Sequence, residues 1–363
     1  MSAHTIVVKL GTSTLTNGTD RLSRPAMLEI IRQIAQLHTS GHRIVLVSSG
    51  AMAAGKEVLG NPALAQHLPI KQMLCAVGQG YLMNLYSTLF GLYDIHIGQI
   101  LITHDDLRHR IRYLNARNTL TTLLENGVIP IVNENDTLAV DEIRVGDNDN
   151  LSAYIAGLID ADYLIILTDQ DGLYDQDPRK NPEAHLIRHV HKITERIWAL
   201  ASDSTSGQGT GGMITKIQAA QLATRSGTRT IIARGTTPNV LIRLLDGESI
   251  GTTFEPTITH LESRKRWLLA EKPHGTLIVD QGAAHKLQNE GASLLPIGIL
   301  HIRGDFERGD IVLVTDEEQH PIAQGLANYG ASELTLIKRR HSRDILDILE
   351  YTYGDEAIHR DHM

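Results

Sequence analysis

The sequence predicts an α/β protein, a mainly parallel sheet sandwiched by helices and followed by a small β-rich, barrel-like module. Three observations carry this. From Thr5 to about Leu245, short β-branched runs alternate with longer segments of helical period, the pattern of parallel strands joined by crossover helices. After about Asp246 the runs shorten and Gly and Pro punctuate them. The chain's 363 residues also exceed the size at which a single hydrophobic core stops growing, so two domains are expected.

In chain order, strands are expected at Thr5–Leu10, Arg43–Val47, His96–Ile102, Val128–Val132, Tyr163–Leu167 and Thr230–Ala233. Between the first two, Ser23 as cap, Pro25 in the first turn, the stripe Leu28, Ile31, Ile34 and Leu37, and Gly41 beyond the end mark a helix. Further helices are expected around Lys71–Leu89, Ala116–Glu125, Asn150–Ile159 and Met213–Ser226. Past a charged stretch containing Arg264-Lys265-Arg266, short strands are expected at Thr276–Val279, Gly298–Ile302, Asp310–Val314, Ile322–Gln324 and Leu334–Ile337. This divides the chain into a domain of residues 1–258, a linker 259–274, a second domain 275–353 and a tail 354–363.

A formal net charge of −8 argues against a general nucleic-acid or anionic-membrane binder, so any bound anion must be held by local groups. Cys75 is the only cysteine, which excludes an internal disulfide and points to a reducing compartment. Its setting, Met73-Leu74-Cys75-Ala76-Val77, reads as buried helix rather than as a nucleophile. The sequence has neither a secretory leader pattern nor an apolar run of membrane-spanning length, so a cytoplasmic protein is expected.

Ligands of open parallel sheets bind beyond the carboxyl ends of the strands. Here those ends read Lys9-Leu10-Gly11-Thr12-Ser13, Ser48-Ser49-Gly50-Ala51, Asn133-Glu134-Asn135-Asp136-Thr137 and Thr168-Asp169-Gln170-Asp171-Gly172. Small and glycine-rich loops admit phosphate oxygens to backbone N–H groups. One such loop is ordinary turn chemistry, whereas four on one sheet edge suggest a phosphate site.

The cluster Ser206-Gly207-Gln208-Gly209-Thr210-Gly211-Gly212-Met213-Ile214-Thr215-Lys216 opens a helix. It contains G-x-G-x-x-G, but no strand precedes it and no acid follows at the dinucleotide spacing; nor does it end in the Gly-Lys-[Ser/Thr] of a Walker A loop. What remains is a glycine-rich helix entrance with Lys216 in the first turn, suited to β- and γ-phosphates. Asp147-Asn148-Asp149-Asn150 reads as an N-cap cluster and lacks the spacing of an EF-hand. His359-Arg360-Asp361 imitates a protein-kinase catalytic loop without room for its Asn, and the 18 histidines show no zinc spacing.

Taken in order, Val7-Val8-Lys9-Leu10-Gly11-Thr12-Ser13, Ser48-Ser49-Gly50-Ala51, Asn133 to Asp136, Gly146-Asp147-Asn148-Asp149-Asn150, Thr168-Asp169-Gln170 and Gly209-Thr210-Gly211-Gly212-Met213 through Lys216 resemble the amino acid kinase family. The tail, with Gly291-Ala292-Ser293-Leu294-Leu295-Pro296 and Gly304-Asp305-Phe306-Glu307-Arg308-Gly309-Asp310, resembles the PUA domain that many bacterial members carry. The resemblance covers nearly the whole chain. It implies that ATP, with Mg2+, phosphorylates the side-chain carboxylate of L-glutamate to give L-glutamyl 5-phosphate, the first step of proline biosynthesis. It further implies proline as feedback inhibitor, a glutamyl phosphate reductase as partner, and a homo-oligomer, dimer or tetramer. By the same resemblance Ser49, Asp136 and Asn148 hold glutamate, while Lys9, Thr168, Asp169, Thr210, Gly211, Gly212, Met213, Ile214, Thr215 and Lys216 hold ATP. No metal ligands are assigned. Asp171, where a basic or neutral residue is expected beside the nucleotide, and Ser48, where Thr is commoner, depart from the pattern.

In-line attack by a carboxylate needs no general base; its obstacle is the approach of one anion to another, so fixed positive charge should dominate. A lysine about 4 Å from a phosphate oxygen contributes on the order of 4 kcal/mol at an effective dielectric near 20. Lys9 and Lys216 are therefore expected to neutralise the transferring group, with Asp149 orienting them. The rivals are a carboxylate or carbamate kinase with another acceptor, and an RNA-binding protein. Against RNA, residues 275–350 carry 7 Lys/Arg and 12 Asp/Glu, the wrong balance for an electrostatic footprint.

Overall fold

Thr5–Leu10 (β1) is apolar at nearly every position, as a strand covered on both faces must be, and all six residues are buried. In the computed structural model, which describes residues 3–60, 67–138, 148–202, 212–263, 268 and 272–363, it lies at the centre of an eight-stranded sheet. The other strands are Arg43–Ser48 (β2), Ile97–Ile102 (β3), Ile129–Glu134 (β4), Tyr163–Thr168 (β5), His189–Val190 (β6), Arg229–Arg234 (β7) and Thr252–Phe254 (β8), in the order β3-β4-β2-β1-β5-β7-β8-β6. Pairing is parallel throughout except between β7 and β8. The short β6 and β8 escape the sequence reading because runs of two or three residues carry no periodicity.

Parallel pairing brings the carboxyl ends of β1, β2, β4 and β5 to one edge. Between the strands run helices Arg24–Thr39, Ala51–Val58, Leu68–Gly91, Arg110–Glu125, Asn148–Leu158 and Met213–Arg225. The first starts where expected: the Ser23 side chain accepts from the Ala26 N–H, with Pro25 in the first turn. Ile6, Val8 and Leu10 pack into the main core with Ile31 and Ile34 of this helix. By the pleat, Val7 and Lys9 face the opposite side of the sheet, where Asn148–Leu158 lies across β1 and β5.

The chain forms two compact units, one of Met1–His109 and Asn115–His260, the other of Arg110–Leu114 and Leu261–Met363. The second contains a four-stranded sheet of Gly275–Val279 (β9), Ile299–Gly304 (β10), Ile311–Thr315 (β11) and Pro321–Leu326 (β12), in the order β10-β9-β11-β12. Its core of Leu277, Val279, Ile299, Val312, Val314 and Tyr329 also takes in Ala357 and Ile358, from the stretch expected to be a tail. Backbone bonding of Leu294 with Ala357 and Ile358 anchors that stretch.

One expected strand is corrected: Leu334–Ile337 belongs to helix Ala331–Ile337. The Glu333 carboxylate accepts from the Gly330 N–H and caps the helix, so Leu334 and Ile337 face the core three residues apart while Leu336 is exposed. The apolar run is β-like in composition, and the cap decides otherwise. A further helix, Gln281–Glu290, capped by Asp280, carries little sequence signal, since none of its residues is fully buried and its apolar stripe is thin.

Candidate active site

At the end of β1, Lys9 is 6% exposed, a depth at which an ammonium requires a partner. That partner is Asp149, the second residue of helix Asn148–Leu158, 1% exposed: Lys9 Nζ lies 2.6 Å from its Oδ1. Lys216 Nζ lies 3.1 Å from Oδ2, and the Thr215 hydroxyl donates to the same oxygen at 2.7 Å. Burial opposes the charge on Asp149, but the ammonium groups of Lys9 and Lys216, with hydrogen bonds from Lys9 and Thr215, hold its carboxyl well below the usual range. One carboxylate thus spans two ammonium groups.

Local structure explains the meeting. Helices Asn148–Leu158 and Met213–Arg225 pack together, with Asp149 beside Thr215 and Lys216 at their starts and Gly157 beside Ser226 near their ends, so they run in the same direction. Small buried residues, Ala153 and Ala156 on one and Ala219, Ala220 and Ala223 on the other, allow the close approach. Both positive helix ends therefore face the same place, the carboxyl edge of the sheet.

Beside this triad lies a chain of amides. Asn148 Nδ2 is within hydrogen-bond distance of Ser48 O (3.1 Å), Ser49 Oγ (3.0 Å) and Asn133 Oδ1 (2.9 Å). Asn133 Nδ2 in turn donates to Gln79 Oε1 at 2.9 Å. Gly50, following Ser49, has φ of +99°, a left-handed conformation that favours glycine, and a Cβ there would approach Leu15 Cδ1 to 2.9 Å. Asp136 is half-buried, and its carboxylate is hydrogen-bonded to the Cys75 thiol. Cys75 lies buried in helix Leu68–Gly91, and burial, then the Asp136 charge and hydrogen bond, push its thiol far up, as suits an inert side chain.

At the end of β5, Thr168 is buried and its hydroxyl donates to Asp169 Oδ1 at 3.0 Å, while Asp169 itself is exposed. Asp171, the odd acid of the sequence, is neutralised: Arg234 Nε and Nη2 meet its two oxygens at 2.7 and 3.2 Å, and the Tyr174 hydroxyl donates at 2.9 Å. Arg234 ends β7 directly opposite Thr168. Of the glycine-rich block, Gly212 caps its helix, Met213, Thr215 and Lys216 are buried and Ile214 is exposed. Thr210 and Gly211 lie outside the described residues.

The site residues that sequence reasoning missed are Gln79 and its neighbours on helix Leu68–Gly91. Gln72 donates to Thr137 O, Cys75 meets Asp136, Gln79 meets Asn133 and Tyr86 meets Ser48, a line of contacts along one helix face. Their spacing of three, four and seven residues was legible, but the stripe mixes polar and apolar residues and so resembles neither a core face nor a motif. Among the described residues no group of three His, Cys, Asp or Glu could hold a metal ion, and no helix is long and apolar enough to cross a membrane.

The family model described as "Amino acid kinase family" matches residues 4–234, and the model described as "PUA domain" matches residues 275–349. The chain is 56% identical over 359 residues to the glutamate 5-kinase of Herpetosiphon aurantiacus, covering 99% of this chain and 97% of that protein. It is 52% identical over 358 residues to the glutamate 5-kinase of Deinococcus radiodurans, covering 99% of each. Among solved structures, carbamate kinase from Giardia lamblia bound to AMP-PNP aligns with a TM-score of 0.51 at 19% identity, covering 70% of this chain and 99% of that one, a likeness of fold alone.

Proposed function

Since the chain belongs to the amino acid kinase family, we infer from its likeness to glutamate 5-kinases that it phosphorylates the side-chain carboxylate of L-glutamate with ATP. The product is L-glutamyl 5-phosphate, and the reaction opens proline biosynthesis. The observation that carries the reading is the pair of buried lysines bridged by Asp149 at the carboxyl edge of the sheet.

In this reading Lys9 and Lys216 face the γ-phosphate and Asp149 sets their positions, so that neither ammonium must reorganise as charge moves in the transition state. Against the cost of burial, the ammonium groups of Lys9 and Lys216 hold the Asp149 carboxyl well below the usual range, which favours the charged form that orients them. Ser49, Asp136 and Asn148 hold glutamate, the Asp136 carboxylate against the substrate ammonium. Thr168, Asp169 and the block Thr210–Lys216 hold ATP, the helix entrance at Gly212 offering N–H groups to the phosphates. Mg2+ would accompany the nucleotide and offset the charge of its phosphates. Proline as inhibitor, a glutamyl phosphate reductase as partner, a homo-oligomer and a cytoplasmic location complete the reading.

The test is ADP release over a panel of amino acids with hydroxylamine present to trap an acyl phosphate as its hydroxamate. Glutamate alone should support both signals. ADP release from glutamate without hydroxamate would rule out the carboxylate as acceptor, and preference for another acid or carbamate would move the chain elsewhere in its family.

A further inference from the structure

The amide chain at the ends of β2 and β4 has a polarity that two backbone groups determine. The Glu134 N–H can only donate, and it points at Asn133 Oδ1 at 2.9 Å, so that end of Asn133 is its oxygen. Ser48 O can only accept, and it lies 3.1 Å from Asn148 Nδ2, so that end of Asn148 is its nitrogen. Asn133 Nδ2 must therefore donate to Gln79, which turns Oε1 toward it at 2.9 Å. The two ends of the chain are left over: Gln79 Nε2, a donor, and Asn148 Oδ1, an acceptor, are both shielded from solvent and without a hydrogen-bond partner. A buried polar group without a partner is costly, and such groups in native proteins call for a functional explanation.

An α-amino acid supplies the complements, an ammonium that donates and a carboxylate that accepts. Gln79 lies one helical turn from Cys75, whose thiol is hydrogen-bonded to Asp136, the carboxylate assigned to the substrate ammonium. Side chains one turn apart on a helix are separated by roughly 5–6 Å, a span suited to the two charged groups on one α-carbon.

Resting on the glutamate reading, we propose that Gln79 is a substrate-binding residue whose Nε2 donates to the α-carboxylate of glutamate, with Asn148 Oδ1 accepting from its ammonium. Gln79 thereby selects for a free α-carboxylate. An acceptor bearing an α-amide offers Nε2 only a neutral carbonyl oxygen in place of a charged one, and hydrogen bonds to charged groups are the stronger.

The test uses the full-length enzyme with Gln79→Glu, which keeps the side-chain shape and the oxygen facing Asn133 but turns the donor into an acceptor. The KM for glutamate should rise about 10- to 100-fold, the scale of a lost hydrogen bond to a charged group, while the KM for ATP holds. Preference should also shift toward glutamate α-amide, whose NH2 can donate to the new carboxylate. If Gln79→Glu fails to fold, Gln79→Met should show the same rise in KM for glutamate without the shift toward the amide. A KM for glutamate within twofold of wild type, or an equal rise in the KM for ATP, overturns the proposal. Wild-type enzyme that makes no hydroxamate from glutamate would instead sink the glutamate reading itself.

Discussion

Lys9 and Asp149 form a buried ion pair, Nζ to Oδ1 at 2.6 Å, that ties the central strand of the sheet to the start of the helix crossing it. Because Asp149 also holds Lys216 at 3.1 Å, one carboxylate sets the spacing of two cations that come from distant parts of the chain. Two lysines forced together without it would repel each other, and one lysine alone would be neutralised by it.

Removing either cation should slow the chemistry more than the binding. Lys9→Ala and Lys216→Ala are each expected to lower turnover by roughly 10² or more at saturating ATP and glutamate, the scale of losing one preorganised electrostatic contact. Hydroxamate formation measures this directly, and near wild-type turnover in both variants would remove the lysines from the mechanism.

Asp149→Asn should damage both stability and rate, since it removes the carboxylate that two buried ammonium groups share. Breaking a buried pair in this way costs about 3–5 kcal/mol. The urea midpoint should fall accordingly, with turnover reduced even under conditions where the variant remains folded. A variant as stable as wild type would mean that the lysines find other partners.

Gly78→Ala should disturb the glutamate site through packing. Helices Ala51–Val58 and Leu68–Gly91 meet so closely that a Cβ on Gly78 would lie 1.8 Å from the Ala51 carbonyl oxygen. Separating them is expected to cost about 1–3 kcal/mol and, because Gln79 is the next residue, to raise the KM for glutamate. Thermal melts and steady-state kinetics together check this; an unchanged melting temperature would show that the helices separate freely.

At the opposite edge of the sheet, His42 is buried, and its Nδ1 accepts from the His4 N–H at 3.2 Å. Burial, then the neighbouring His4, lowers its pKa. The unfolded chain therefore binds this proton at a higher pH than the folded one, so the stabilisation is present above the ordinary His pKa of about 6.5 and is lost as pH falls through the folded value. Melting temperature should decline from pH 7.5 to 5.5, and His42→Gln should make the decline shallower. Parallel pH profiles for the two proteins would exclude His42 as its source.

Much of the fold was legible because strand and helix periodicity are local. The six long strands of the first unit fall within two residues of their expected bounds, and Ser23 caps its helix as its sequence suggests. Leu334–Ile337 misled because the cap that makes it helical, Glu333 on the Gly330 N–H, outweighs the β-like composition of the run. In the site, Lys9, Asp149, Thr215 and Lys216 do come together, as do Ser49 and Asn148. Gln79 stayed hidden because glutamine in a mixed helical stripe carries no signal until its partner is known.

The sequence by itself determined which segments become the six long strands of the first unit, which small and charged residues stand at their carboxyl ends, and that fixed cations must meet an anion there. These follow from period, composition and charge, which act over a few residues. Only the tertiary structure decided that a single carboxylate bridges both lysines, that Arg234 neutralises Asp171, and that three amides form a chain with one donor and one acceptor left over. Those relationships depend on ångström-scale distances between residues far apart in the chain, and close packing sets such distances where local propensity cannot.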